Sequence, residues 1–110
     1  MNGVHLRLYT CENRMHDGLP VYEWLLERAR KMGIPGGSVF RAMAGYGRHG
    51  KLHEQAFFEL AGEEPVLVEF ILADEEADRL LQSLRDERLQ LFYARIPAEF
   101  GFTAIGGEAA

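Results

Sequence analysis

The residues best able to do chemistry gather around two short glycine runs. Gly36-Gly37 precedes a short apolar-biased stretch containing Arg41, Gly45-Tyr46-Gly47 follows it, and Arg48, Lys51 and His53 stand just beyond. Backbone N–H groups at glycine turns cradle anions, and nearby guanidinium or ammonium groups neutralise phosphate charge. The same glycines also suit turns that need positive φ, and Gly-Tyr-Gly lacks the spacing of a dinucleotide fingerprint or a P-loop. Both readings stand at this level. Of the four histidines, His5, His16, His49 and His53, the last two are four apart beside Glu54. On a helix that spacing would bring two imidazoles to one metal, but a glycine-flanked loop removes the geometric reason. Cys11 at a strand end and the pair Glu63-Glu64 read as a packed thiol and solvated charge, so no catalytic residue is expected.

Composition narrows the classes. The 110 residues are 47% hydrophobic and 26% charged, which fits one globular domain spanning 1–110 with its core in 4–97. Twelve basic residues against seventeen acidic ones give a net charge of −5, which disfavours nucleic acid and anionic lipid as partners. The single cysteine precludes an internal disulfide and suits a reducing compartment, so the cytoplasm is the expected location. No stretch is apolar and long enough for membrane insertion.

These residues need elements to hold them. Val4, Leu6, Leu8 and Thr10 alternate with His5, Arg7 and Tyr9, predicting a first strand. Pro20 suits the first turn of a helix whose face is Tyr22, Leu25, Leu26, Ala29 and Met32, and Gly33 and Pro35 stop it. Ser38 to Ala44 predicts a second strand, and Val66 to Leu72 a third. Asp74 offers an N-cap to a helix reaching about Glu87, with Ala77, Leu80, Leu81 and Leu84 as its buried stripe. Leu89 to Ile96 alternates as a last strand that Pro97 closes. Residues 48–64 form a long loop-like excursion, and 102–110 a weakly ordered tail.

The order strand, helix, strand, strand, helix, strand predicts an α+β, ferredoxin-like fold: a four-stranded antiparallel sheet with two helices on one face. Arg7, Tyr9, Phe40, Phe92 and the outer alternates of the third strand leave the other face too apolar to stay wet, so a subunit interface is expected there.

The stretch Gly36 to Gly47, then His53 and Pro65-Val66-Leu67-Val68-Glu69, resembles the proteins called domain of unknown function 190, a branch of the PII-like signalling proteins. Leu8-Tyr9-Thr10-Cys11-Glu12 and Leu19-Pro20-Val21-Tyr22-Glu23 resemble that family's opening strand and first helix, and the likeness covers about Val4 to Ile96. The resemblance implies a homotrimer with inward-facing sheets, clefts between subunits that take a small effector such as ATP, ADP or AMP, and a mobile T-loop, here 48–64, that acts on a transporter or enzyme. It implies Arg41, Gly45, Tyr46, Gly47 and Arg48 as the wall at the loop base, with His53 further along and Arg85 and Arg88 near the phosphate-holding segment. Two departures stand out: Leu84 to Leu91 has no glycine to cradle phosphate, and no tyrosine lies between Arg48 and Glu64 for uridylylation.

Phe57 and Phe58 offer the loop an apolar contact with a target, or pack on the sheet edge. The alternative function is a metal-binding trimer related to copper-tolerance proteins, with His49, His53, Glu54 and Cys11 as ligands. An acylphosphatase-like enzyme lacks its phosphate loop in Glu12-Asn13-Arg14-Met15, and an RNA-binding domain is opposed by the net charge.

Overall fold

The computed structural model describes residues 1–46 and 64–104. Its elements are β1 (Asn2–Cys11), β2 (Met15–His16), β3 (Leu19–Pro20), α1 (Val21–Lys31), β4 (Ser38–Arg41), β5 (Pro65–Leu72), α2 (Asp74–Asp86) and β6 (Phe92–Glu99). The main sheet runs β4-β5-β1-β6 with every neighbour antiparallel, and β2 and β3 form a separate small hairpin. This is the expected ferredoxin-like α+β order.

Period-two alternation sets the two faces of the sheet. Val4, Leu6 and Leu8 of β1 and Val66, Val68, Phe70 and Leu72 of β5 are buried, and they join Val21, Trp24, Leu25 and Ala29 of α1 and Ala77, Leu80, Leu81 and Leu84 of α2 in one core. Both helices therefore cover the same face. Of the expected α1 face, Leu25 and Ala29 are buried, Trp24 completes the stripe, and Met32 is partly buried, as are Tyr22 and Leu26.

Both helices stop in the same way. Ile34 N–H reaches Ala29 C=O and Gly33 N–H reaches Arg30 C=O, while Leu89 N–H reaches Leu84 C=O and Arg88 N–H reaches Arg85 C=O. Each pair of bonds is a Schellman cap, which needs a left-handed residue just past the helix. Gly33 fills that place at φ 85°, and Arg88 fills it at φ 56°.

Four boundaries differ from expectation. Pro20 is the N-cap of α1 and sits in the β2–β3 hairpin, not inside the first turn. Ala73, not Asp74, is the N-cap of α2, and its N–H donates to Glu76 Oε1 at 2.9 Å. The Asp74 carboxylate accepts from Arg95 instead, at 3.0 Å. β4 ends at Arg41, although Ala42 N–H still donates to Pro65 C=O. β6 starts at Phe92, because Leu89 is consumed by the α2 cap, and it runs through Pro97 to Glu99. An edge strand tolerates proline, since only one side of its backbone is needed for pairing.

Gly37 corrects a further expectation. It is needed for close approach and not for positive φ, because a Cβ there would overlap the Phe70 ring. The expected excursion lies almost wholly outside the described residues, as does the tail beyond 104.

Candidate functional site

Across the sheet, β4 Arg41 aligns with β5 Val66, and Val66 with β1 Thr10. Arg41 closes the edge strand just before the excursion. Its guanidinium bonds Glu12, at the end of β1, and its Nε lies 3.0 Å from Oε1 of Glu64, the residue leading into β5. Glu12 N–H also donates to Glu64 C=O at 3.0 Å. Three chain segments thus meet on one cation. Arg41 stays 61% exposed, so an anion arriving from solvent competes with carboxylates that are themselves accessible.

Gly45 lacks a left-handed φ, and a Cβ there would touch Pro65 Cγ at an ordinary 3.6 Å, so its backbone does not demand glycine. Tyr46 is exposed. Gly47, Arg48, His53, Phe57 and Phe58 lie outside the described residues, as do His49 and Glu54 of the alternative metal set. Cys11 of that set is buried, with its thiol 3.8 Å from Asn13 Oδ1.

Arg85 and Arg88 border an open cavity of about 390 Å³ whose walls include Leu8, Leu84, Leu91 and Tyr93. Leu8 pairs with Tyr93 in the ladder, so this cavity sits at the β6 side of the sheet. Arg41 is on the β4 edge. Two to three strand spacings of ~4.8 Å separate them, on the order of 10–14 Å. Among the described residues, Arg41 and the Arg85–Arg88 pair, expected to share one site, therefore stand as two stations on opposite sides of the sheet of one chain.

The absence of glycine between Leu84 and Leu91 gains a structural meaning here. The left-handed backbone expected of a glycine is present, but an arginine adopts it. A non-glycine residue in that region loses roughly 1–2 kcal/mol. Replacing Arg88 by glycine is expected to raise the melting temperature by a few degrees, after the unfolded chain's extra freedom is deducted. A lower melting temperature would show that the guanidinium itself holds the cap.

The open face of the sheet carries a row of large apolar groups. Phe40 aligns with Leu67, Leu67 with Tyr9, and Tyr9 with Phe92, whose ring lies 5.5 Å from that of Tyr9. Ile71 and Ile96 extend the patch, and these exposed members are 37% to 50% accessible. His5 Nε2 and Glu69 Oε1 meet at 2.8 Å within it, and the buried Nε of Arg7 has no hydrogen-bond partner among the described residues. An apolar surface of this extent on a sheet is characteristic of association.

A second polar cluster escaped sequence reasoning. His16 Nε2 lies 3.0 Å from Glu87 Oε1 and 3.7 Å from Asp17 Oδ2. Glu87 is 71 residues away in sequence, so no local motif marks the pair. The His16 hydrogen bond, with help from Arg28 and against partial desolvation, holds the Glu87 carboxyl below its ordinary 4.5. A depressed carboxylate stabilises the fold above its unfolded pKa, and the gain disappears as pH falls through the folded value. The melting-temperature gap between the wild type and Glu87→Gln is therefore expected at neutral pH and should close below 4.5, in chelated buffer. A gap that persists in acid would assign the effect to packing.

The sheet order and the placement of both helices on one face define a ferredoxin-like fold. A crystal structure of a candidate PII-like signaling protein from Thermus thermophilus superposes with a TM-score of 0.55 at 15% identity, covering 88% of this chain and 89% of that one. The chain belongs to the family named domain of unknown function 190, described as Uncharacterized ACR, whose model matches residues 3–89. The UPF0166 protein of Aquifex aeolicus (strain VF5) is 40% identical over 80 residues, 73% of this chain and 76% of that protein. The UPF0166 protein MJ1524 of Methanocaldococcus jannaschii is 29% identical over 79 residues, 72% of each chain. No helix among the described residues is long and apolar enough to cross a membrane.

Proposed function

We propose that this protein is a cytoplasmic, non-enzymatic PII-like regulator. It forms a homotrimer through its open sheet faces, binds an adenine nucleotide between subunits, and controls a target protein through residues 48–64. One observation carries the reading: the Arg41 station and the Arg85–Arg88 cavity lie on opposite sheet edges. Within one chain the width of the sheet separates the two stations, whereas a ring of copies, each presenting its β4 edge to the β6 side of the next, brings Arg41 of one subunit toward the arginine pair of its neighbour.

The ion pairs suggest how occupancy reaches the excursion. Arg41 holds Glu64, where the excursion returns to β5. A phosphate in the cleft draws the guanidinium away from Glu12 and Glu64, because charge-assisted contacts to a dianion outcompete those to exposed carboxylates. Glu64 is then released, and the conformational equilibrium of the chain ahead of it shifts by the ligand's differential affinity for the two arrangements. Gly45, Tyr46, Gly47, Arg48 and His53 would line the loop side of the cleft, Arg85 and Arg88 the neighbouring subunit's side, and Phe57 and Phe58 would meet the target.

Calorimetry with ATP, ADP and AMP tests the assignment. Arg41→Ala is expected to weaken binding by about 10- to 100-fold, the equivalent of ~1.5–3 kcal/mol for hydrogen bonds to a charged group, with assembly intact. Unchanged affinity would move the ligand away from the loop base.

A further inference from the structure

We infer that His16, Asp17 and Glu87 form a binding site for a divalent transition ion of the zinc class. This inference stands apart from the nucleotide reading and uses none of its residues. Their donor atoms, one imidazole nitrogen and two carboxylate oxygens, all lie within 4.8 Å of one another. Zinc bonds such ligands at about 2.0–2.1 Å, which places tetrahedral neighbours about 3.3–3.4 Å apart. The separations from His16 Nε2, 3.0 Å to Glu87 and 3.7 Å to Asp17, bracket that edge.

The donors come from two elements that the fold brings together. His16 ends β2, Asp17 follows it in the hairpin turn, and Glu87 is the C-cap of α2. Two of the three are already oriented. The His16 ring stands edge-on to the Trp24 indole, with centroids 5.0 Å apart and planes at 87°, and Trp24 is a core residue only 5% exposed. The Arg28 guanidinium lies 4.5 Å from the Trp24 ring centroid and contacts Glu87 Oε2 at 3.4 Å. That contact occupies the second carboxylate oxygen and leaves Oε1 turned toward His16. Partners of this kind fix a ligand's direction before an ion arrives.

Charge and hardness choose the ion. Two carboxylates outweigh the nearby Arg28 by one unit, so the site favours a dication, although Arg28 moderates its affinity. An imidazole donor suits zinc, cobalt or nickel, whereas magnesium and calcium prefer all-oxygen shells. The Asp17 side chain is 64% exposed, so it can swing to close the third edge, and water can supply the fourth ligand. An ion there cross-links the hairpin to the end of α2.

Zinc calorimetry and thermal melting on the full-length protein, after chelation and dialysis, test the site. The wild type is expected to bind a single ion per chain in the micromolar range and to melt higher with zinc. Cobalt should give the visible absorption of a four-coordinate ion. Asp17→Asn, a change at an exposed side chain, and Glu87→Gln should each weaken zinc binding by more than about tenfold. The double variant His49→Ala/His53→Ala should bind as the wild type does. The inference fails if the wild type shows no saturable zinc binding, or if magnesium binds as tightly as zinc. It also fails if binding survives Asp17→Asn and Glu87→Gln but disappears in the His49/His53 double variant, which would put the ion on the excursion.

Discussion

Tyr9→Asp is expected to convert the protein to single 12.5 kDa subunits without unfolding them. Tyr9 occupies an inner strand and stands between Leu67 and Phe92 in the apolar row, so a carboxylate there lies near the middle of the open sheet face through which the proposed trimer forms. Burying an unpaired carboxylate costs several kcal/mol even after relaxation, and a closed ring meets that cost at every interface. The fold should survive, because Tyr9 lies on the face away from the helices and is 37% exposed in the isolated chain. Sedimentation checks the mass, and circular dichroism checks the fold. A Tyr9→Asp protein that remains assembled would show that the copies meet elsewhere.

Phe70→Ala is expected to have the largest effect on stability. Phe70 is 1% exposed, lies on the helix-covered face of β5, and comes so close to Gly37 that no Cβ fits between them. Removing a buried phenylalanine ring costs about 3–5 kcal/mol, from lost transfer energy and the cavity left behind. A domain of this size has roughly 5–15 kcal/mol in all. The urea midpoint should fall by more than ~1 M, since small domains lose about 1–3 kcal/mol per molar urea. A loss below ~1 kcal/mol would mean that the core collapses into the space and that Gly37 is not there to admit the ring.

Sequence periodicity made the core legible because burial on one face repeats every second residue in β1 and β5 and at helical spacing in α2. The stripe Ala77, Leu80, Leu81 and Leu84 is buried as expected. Ends were harder to read, because ends depend on contacts from outside the element. Asp74 looked like a cap but is drawn to Arg95 across the fold, and Leu89 looked like a strand residue but finishes a helix cap. Pro97 looked like a strand terminator, yet only the sheet order reveals that β6 is an edge. For the site, the local motif pointed to Arg41, but its bonds to Glu12 and Glu64 link residues 29 and 23 positions apart, beyond any window of spacing. The meeting of His16 with Glu87 was invisible for the same reason.

The claim that one ligand site is completed by two copies is tested most directly by mixing subunits. Arg41→Ala removes one station and Arg88→Ala the other, so each variant alone should bind ATP poorly. Unfolded together and refolded as mixed trimers, they should recover about one site in four, the statistical share in which an intact Arg41 faces an intact Arg88 from a neighbour. No recovery from verified mixed assemblies would contradict the shared site and return the ligand to a single chain.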